Sequence, residues 1–135
     1  MKLAKLIYIV EDDPIAAMIA KEVLRRNHVV ADIQTYVNGL RAFNQLTAVV
    51  QAGGYIPDLI LLDLNMPLMD GWDFLEVFAA MDIHPLVPIF VLTSSIRPND
   101  QERALRYEEV KGFFSKPLNN ATIARMQQLL PIRVM

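Results

Sequence analysis

The sequence has no cysteine, little net charge and no long hydrophobic run. Without cysteine there is no disulfide, thiolate zinc site or thiol nucleophile, which fits a cytoplasmic protein. Thirteen basic residues against 15 acidic ones leave a net charge of −2, so the broad basic surface that binds nucleic acids or anionic membranes is missing. No apolar segment approaches the ~20 residues that cross a bilayer. We therefore expect a cytoplasmic chain with no nucleic-acid partner and no membrane insertion.

Apolar residues, in contrast, make up 53% of the 135 residues. A single domain usually has ~100–150 residues, and this composition can supply a core without disulfides or a structural metal. The sequence shows no internal repeat, low-complexity segment or linker. We expect residues 1–135 to form one domain, with a core at about residues 5–130. Because only four residues follow Pro131, no output domain is expected.

Short apolar runs alternate with longer helical patterns along the chain. Five runs predict strands, at residues 6–10, 33–37, 59–62, 89–92 and 112–114. The third and fourth runs are continuously apolar, which is typical of a parallel sheet covered on both faces. Alternation of strand and helix in five βα units predicts a doubly wound α/β fold with right-handed crossovers.

Capping residues indicate where the intervening helices begin. The candidates are Asp13-Pro14, Asn38, Asp70-Gly71, Pro98 and Asn119 or Asn120. Helical periodicity then predicts which apolar side chains face the sheet. In the first helix these are Ile15, Met18, Ile19, Val23 and Leu24, and in the second they are Leu40, Phe43, Leu46 and Val50. The second helix is expected to end near Gly53 and the last one before Pro131.

In a doubly wound sheet the ligand site lies at the carboxyl ends of the strands. The polar residues that follow the predicted strands are Glu11, Asp12, Asp13, Asp63, Thr93 and Lys116. Clustered carboxylates resist joint ionisation unless a cation lies among them, and oxygen ligands suit Mg²⁺. A carboxylate can also act as a nucleophile, and a lysine can neutralise phosphoryl oxygens. The residues alone predict a Mg²⁺-dependent phosphoryl site with an aspartate acceptor.

Four segments at these strand ends are more specific. They read VEDD at 10–13, LDLNMPLMDG at 62–71, VLTSS at 91–95 and FSKP at 114–117. Taken together and in this order, they resemble the receiver domain of bacterial two-component response regulators, of the stand-alone, chemotaxis-regulator-like type. The resemblance runs from Lys5 to about Leu130. It implies a flavodoxin-like (βα)5 fold with a five-stranded parallel sheet in the order 2-1-3-4-5.

The resemblance also implies the chemistry of the site. Asp63 would accept a phosphoryl group from a histidine of a sensor kinase or of a histidine phosphotransfer protein. Mg²⁺, or Mn²⁺, would be bound by Glu11, Asp12, Asp63 and the backbone carbonyl of Asn65. Asp13 is expected to cap the first helix instead of binding metal.

Other positions would carry the response to phosphorylation. Lys116 would pair with the phosphoryl group and Thr93 would donate a hydrogen bond to it. Phe113 occupies a position where receivers often carry Tyr or Phe as a rotating switch. Because phenylalanine has no hydroxyl, the inward state of Phe113 would depend on packing and not on a new hydrogen bond. Pro117 would follow a cis peptide bond, and Gly71 would let the loop turn back into the third helix.

The expected function is that of a single-domain response regulator, which catalyses only its own phosphorylation and dephosphorylation and acts on an unknown downstream protein. A relay intermediate or phosphate sink is the first alternative. A haloacid-dehalogenase-type phosphatase would need a second Asp where this chain has Asn65. An FMN carrier would need a phosphate-binding loop after the first strand, where this chain has three acids that would repel phosphate. A degenerate receiver that acts only as a scaffold is disfavoured. Since Arg125 is the only charged residue of the fifth helix, we expect a monomer or weak dimer.

Overall fold

The structure is a computed structural model that describes residues 2–29, 32–94, 97–130 and 132–133. From β2 to α5, strands and helices alternate along the chain as predicted. In order they are β1 (Lys2–Leu3), β2 (Leu6–Val10), α1 (Pro14–Arg26), β3 (Asp32–Tyr36), α2 (Gly39–Ala52), β4 (Leu59–Leu62), α3 (Gly71–Ala79), β5 (Ile89–Thr93), α4 (Pro98–Leu105), β6 (Val110–Ser115), α5 (Asn120–Leu129) and β7 (Ile132–Arg133).

The main sheet has five parallel strands in the order β3-β2-β4-β5-β6. Numbered along the chain, these five strands have the order 2-1-3-4-5, so the expected flavodoxin-like topology is confirmed. The register pairs Val10 with Leu62, Leu62 with Val91, and Thr93 with Ser115. The residues that follow β2, β4 and β6 therefore lie at one edge of the sheet, beside the end of β5.

The strand predictions differ from the structure mainly at the weaker runs. β2 and β4 have the predicted bounds, whereas β6 is longer because Lys111 interrupts the apolar pattern without interrupting the strand. A second, two-stranded parallel sheet joins β1 to β7, pairing Lys2 with Ile132 and Leu3 with Arg133. Strands of two residues have no periodicity from which they could be predicted.

The predicted sheet-facing stripe of α1 is partly wrong. Val23 and Leu24 are buried as expected, but Ile15 and Met18 are each 63% exposed and Ile19 is 42% exposed. The other buried positions of this helix are Ala17 and Ala20. In α2, likewise, Ala42 and Leu46 are buried, Phe43 is partly buried, and Leu40 and Val50 are exposed. Small side chains let a helix pack close to the sheet. In α1 the face that packs on the sheet includes Ala17 and Ala20, and the larger Ile15, Met18 and Ile19 lie on the exposed face.

The predicted helix caps are confirmed. Each of Asp13, Asn38, Asp70 and Asn119 accepts a 2.9 Å hydrogen bond from a backbone N–H of the first turn that follows it. Asp70 and Asp73 complete a reciprocal capping box. Gly53 ends α2 with φ of 68°, a left-handed conformation that glycine adopts without a Cβ clash. Pro131, expected to stop the last helix, lies outside the described residues.

Each face of the main sheet is covered by a separate hydrophobic cluster, because alternate strand residues point to opposite faces. Ile60 and Leu62 belong to one cluster with Phe74 and Phe78, whereas Leu61 belongs to the other. Within the described residues, no helix combines the length and apolarity needed to span a membrane.

Candidate functional site

Backbone hydrogen bonds fix the positions of three predicted site residues at the carboxyl edge of the sheet. The N–H of Glu11 donates to the Tyr36 carbonyl (2.8 Å), that of Asp63 to Val10 (3.0 Å), and that of Lys116 to Thr93 (2.9 Å). Asp63 is 4% exposed, Glu11 is 7% exposed and Thr93 is completely buried. The strand ends thus bring residues that are far apart in sequence to one place.

Three carboxylates form a cluster at this edge. Glu11, Asp12 and Asp63 each offer an oxygen, and these oxygens lie within 4.8 Å of one another. Asp12 is exposed, so the cluster opens to solvent on its side. Asp13 is not part of the cluster, since its side chain accepts the N–H of Ile15 at 2.9 Å. The interpretation of Asp13 as a helix cap is therefore correct.

Lys116 is the cation that faces the buried acids. Its Nζ lies 3.2 Å from Asp63 Oδ2 and also forms an ion pair with Glu11. The other oxygen of Asp63, Oδ1, is buried and has no hydrogen-bond partner among the described residues. Among the described residues, one ammonium faces three carboxylates, which leaves net negative charge. An all-oxygen donor set with one unpartnered oxygen fits a hard divalent cation such as Mg²⁺ or Mn²⁺.

Burial and the ion pair act in opposite directions on the ionisation of this pair. Burial raises the pKa of Glu11 to about 7, although the hydrogen bond from Lys116 lowers it. For Lys116, burial lowers the pKa, but the hydrogen bond to Glu11 and the negative charge of Asp63 outweigh this effect and the pKa is raised overall. The lysine therefore stays charged at neutral pH.

The loop between β4 and α3 is held close to Asp63. The N–H of Gly71 donates to the carbonyl of Leu64 (2.9 Å), and a Cβ at position 71 would lie 2.4 Å from the carbonyl oxygen of Asp63. Gly71 lies where the loop turns back into α3, as the resemblance implied, and its missing Cβ also permits close approach of two backbone segments. Two other residues of this loop lie at the surface. Leu68 is 83% exposed and has φ of 64°, and Asn65 is exposed.

The predicted switch positions lie on neighbouring strands. Thr93 ends β5, and Phe113 lies in β6, partly buried against the cluster that contains Phe74. Phe113 is thus neither fully inward nor fully exposed. The peptide bond between Lys116 and Pro117 is cis, as the resemblance implied.

A cavity of about 120 Å³ extends from the acidic cluster between α1 and the segment after β6. Glu11, Asp63 and Lys116 line its polar end, and Ile15 and Ile19 line an apolar wall. Sequence reasoning missed this wall because the periodicity of α1 placed both isoleucines in the core. An unexpected apolar surface therefore adjoins the charged site.

Comparison with known proteins decides the family. The sequence profile of the response regulator receiver domain matches residues 7–128. The chain belongs to the receiver-domain family. This receiver domain is 33% identical over 132 residues to "Response regulator Rcp1" of Synechocystis, an alignment that covers 92% of this chain and 84% of Rcp1.

Solved structures agree with this assignment. A two-component response regulator from Cytophaga hutchinsonii has a TM-score of 0.86 and 27% identity, over 96% of this chain and 99% of that one. The Mn²⁺-bound form of Rcp1 has a TM-score of 0.72 and 26% identity, over 97% and 99% of the two chains. Receiver domains are phosphoacceptor modules of two-component signalling that bind Mg²⁺ or Mn²⁺ in an acidic pocket and accept phosphoryl groups from histidine kinases or phosphotransfer proteins. The phosphatase alternative is not favoured.

Proposed function

We propose that Asp63 is the phosphoacceptor of this receiver domain and that its donor is the phosphohistidine of a sensor kinase or of a histidine phosphotransfer protein. One observation carries the proposal: a buried carboxylate has one oxygen 3.2 Å from the Lys116 ammonium and the other without a partner among the described residues. Such a group is oriented by the lysine and has a second oxygen with no hydrogen bond to give up.

The transfer follows from this geometry. A carboxylate oxygen of Asp63 forms a bond to phosphorus while the phosphorus–nitrogen bond of the donor breaks. The leaving nitrogen keeps the electron pair and is protonated, so the charges balance. Lys116 neutralises the phosphoryl oxygens, and its raised pKa supports a charged ammonium throughout.

Glu11, Asp12, Asp63 and the carbonyl oxygen of Asn65 are proposed to hold Mg²⁺, with Mn²⁺ as a substitute. The carboxylate cluster and the unpartnered Asp63 oxygen support this assignment, as does the Mn²⁺-bound Rcp1 neighbour. When bound, the ion offsets the negative charge that the carboxylates and the phosphoryl group bring together. A carbonyl ligand at Asn65 is compatible with the exposure of its side chain.

Thr93 and Phe113 are proposed to convert phosphorylation into a change of surface. The Thr93 hydroxyl would donate to a phosphoryl oxygen, and the partly buried Phe113 would move further inward. A two-state element of this kind lets a local charge alter a distant surface. We propose that the altered surface binds a downstream protein in the cytoplasm, with a phosphorelay intermediate or phosphate sink as the alternative.

The single domain of residues 1–135 is proposed to act on no substrate besides its own acyl phosphate. Asn65 supports this, since a phosphatase of the dehalogenase type would have a general acid at that position. The charge pattern of α5, with Arg125 as its only ionised side chain, supports a monomer or weak dimer.

The donor protein is proposed to dock beside α1. Ile15, Met18 and Ile19 are exposed there, and the two isoleucines also line the cavity that leads to Asp63. An exposed apolar patch beside a reactive group suits a partner that must exclude water while the group transfers.

The experiment is phosphorylation by acetyl phosphate, followed by intact-mass measurement. The wild type should gain one phosphoryl group with Mg²⁺ present and none in EDTA. Asp63→Asn and Asp12→Asn should gain none, because the first lacks the acceptor and the second a metal ligand.

Asp13→Asn is the matched control, because asparagine caps a helix as well as aspartate does and position 13 lies outside the cluster. It should be labelled like the wild type. Equal labelling of Asp63→Asn would refute the assignment of the acceptor. Labelling that persists in EDTA would refute the metal requirement.

A further inference from the structure

A second cavity lies at the opposite end of the main sheet, where the strands begin. Its volume is about 240 Å³, twice that of the cavity beside Asp63. The segment before β5 forms one wall, with Pro85, Leu86 and Val87, and the segment that leads into β6 forms another, with Glu109. The six residues of β6, at ~3.3 Å each, separate the two cavities by about 20 Å.

Glu109 gives this cavity a buried carboxylate, which a purely apolar cavity would not have. It is 4% exposed, and its Oε1 has no hydrogen-bond partner among the described residues. Its backbone is held in place, because its carbonyl accepts the N–H of Ile89 at 2.8 Å. Buried polar groups in folded proteins nearly always have a partner, so the unpartnered oxygen of a residue that lines the cavity points to a missing donor.

The other buried acid that lines this cavity shows what a satisfied group looks like. Asp58 is 6% exposed, and its carboxylate accepts the backbone N–H groups of Lys5 (2.7 Å) and Leu6 (3.0 Å). The fold therefore supplies donors to Asp58 and, in the part of the chain that the structure describes, none to Glu109 Oε1.

The remaining polar groups of the cavity favour a cation over an anion. Of the described residues that line it, Asp58, Glu108 and Glu109 contribute three carboxylates against one ammonium. That ammonium, Lys111 Nζ, donates to the backbone carbonyl of Glu108 at 3.0 Å and is not paired with Glu109. His84 Nδ1 lies 2.9 Å from the Met81 carbonyl and so carries the hydrogen, which leaves Nε2 as an acceptor in the neutral ring.

We propose that this cavity binds a small organic cation, in which an ammonium or amidinium head donates to Glu109 and an apolar body packs on Pro85, Leu86 and Val87. Leu86 is 63% exposed and would be covered by such a ligand. The volume is below the ~300–1,000 Å³ of cavities that hold drug-sized molecules, which limits the ligand to a small amine. The site is separate from the phosphoacceptor and does not depend on its assignment.

The test uses the full chain and three probes of matched shape: phenethylammonium, phenethyl alcohol and 3-phenylpropanoate. Each is titrated at constant ionic strength while amide resonances are followed by NMR. Phenethylammonium should shift the amides of His84, Leu86, Val87 and residues 109–111 with saturation, and should do so at lower concentration than the alcohol. The carboxylate should not bind.

Two variants separate the carboxylate of Glu109 from general negative charge. Glu109→Gln keeps the size and hydrogen-bonding capacity of the side chain and should weaken binding of the amine by about tenfold, the loss expected for one charge-assisted hydrogen bond. Glu108→Gln, an exposed neighbour in the same wall, should weaken it by less than about threefold, as expected for a screened surface charge. Phosphorylation at the other end of the sheet reports whether each variant has folded.

Three results would overturn the proposal. Saturation by the neutral alcohol at the same concentration as the amine would show that the cavity binds the apolar body of the probe and does not recognise its charge. Failure of all three probes to bind would mean that water fills the cavity. Equal binding of the amine to the wild type and to Glu109→Gln would show that Glu109 does not bind the ammonium. If that variant fails to fold, the relative affinities of the three probes for the wild type test the proposal.

Discussion

Two buried acids at opposite ends of the main sheet, Asp63 and Asp58, have different kinds of partner. At the carboxyl end, Glu11 and Asp63 share a single lysine side chain. At the amino end, Asp58 accepts two backbone N–H groups, which cannot leave without local unfolding. Burial of a carboxylate therefore does not by itself indicate its role. The backbone partners of Asp58 suit a structural role, whereas the lysine partner of Asp63 can move, as the proposed phosphoryl transfer requires.

The largest expected effect is at the amino end. Asp58→Ala leaves the N–H groups of Lys5 and Leu6 without their acceptor and should lower the free energy of unfolding by about 3 kcal/mol. Equilibrium urea unfolding in EDTA measures this loss.

Asp63→Asn provides the comparison from the carboxyl end under the same conditions. Because it removes one of three clustered carboxylates, stability should be unchanged or rise by about 1 kcal/mol. Asp82→Asn, at an exposed position, should fall within about 0.5 kcal/mol of the wild type. Similar losses for Asp58→Ala and Asp63→Asn would contradict the distinction between the two ends.

A smaller effect is expected from pH. Burial raises the pKa of Glu11 from 4.5 to about 7, so the folded protein holds this proton more tightly than the unfolded chain does. The resulting stability is complete below pH 4.5 and is lost as the pH rises through about 7. The raised pKa of Lys116 adds stability that is constant over this range.

Between pH 6 and pH 8, the metal-free wild type should therefore lose about 1 kcal/mol of stability. The measurement is urea unfolding in EDTA at both pH values. Glu11→Gln, which cannot ionise, should lose much less. A pH dependence that is equally steep in Glu11→Gln would assign the effect to another group.

The smallest expected change in stability comes from a contact between α3 and α4. Trp72, the only tryptophan, lies in the first turn of α3 and has the guanidinium of Arg103 in α4 at 4.0 Å from its ring centroid. Arg103→Ala should lower stability by about 0.5–1 kcal/mol, whereas Arg106→Ala, at an exposed position without this contact, should have less effect.

The same pair can report on the proposed switch. Beryllofluoride with Mg²⁺ should change the fluorescence of Trp72 if α4 moves relative to α3, and Thr93→Ala should remove most of that change. An unaltered response in Thr93→Ala would show that the signal reaches α4 by another route.

Much of the fold follows from local sequence patterns. The continuous apolar run of β4 and the carboxylate caps at Asp13 and Asp70 depend on neighbours in sequence, and the structure confirms all three. The exposed face of α1 could not be predicted in this way. Periodicity selects the largest apolar residues, whereas the sheet accepts the small side chains of Ala17 and Ala20.

The candidate site was predictable for a topological reason. In a parallel sheet every strand ends at the same edge, so the residues after each predicted strand had to meet, as Glu11, Asp63 and Lys116 do. The buried acids of the other edge, Asp58 and Glu109, precede their strands in segments that read as polar loops. Their burial depends on packing between segments distant in sequence, which no local pattern reveals.

Gly71 also limits how this chain can vary over evolutionary time. A Cβ there would meet the Asp63 carbonyl oxygen at 2.4 Å and the Leu64 Cα at 2.6 Å, and backbone atoms cannot rotate away as a side chain can. Asn65 lies in the same loop but is exposed, and its proposed contribution is a carbonyl oxygen that every amino acid possesses. Descendants of this sequence should therefore keep glycine at position 71 while position 65 drifts, although Asn65 lies closer to Asp63 along the chain.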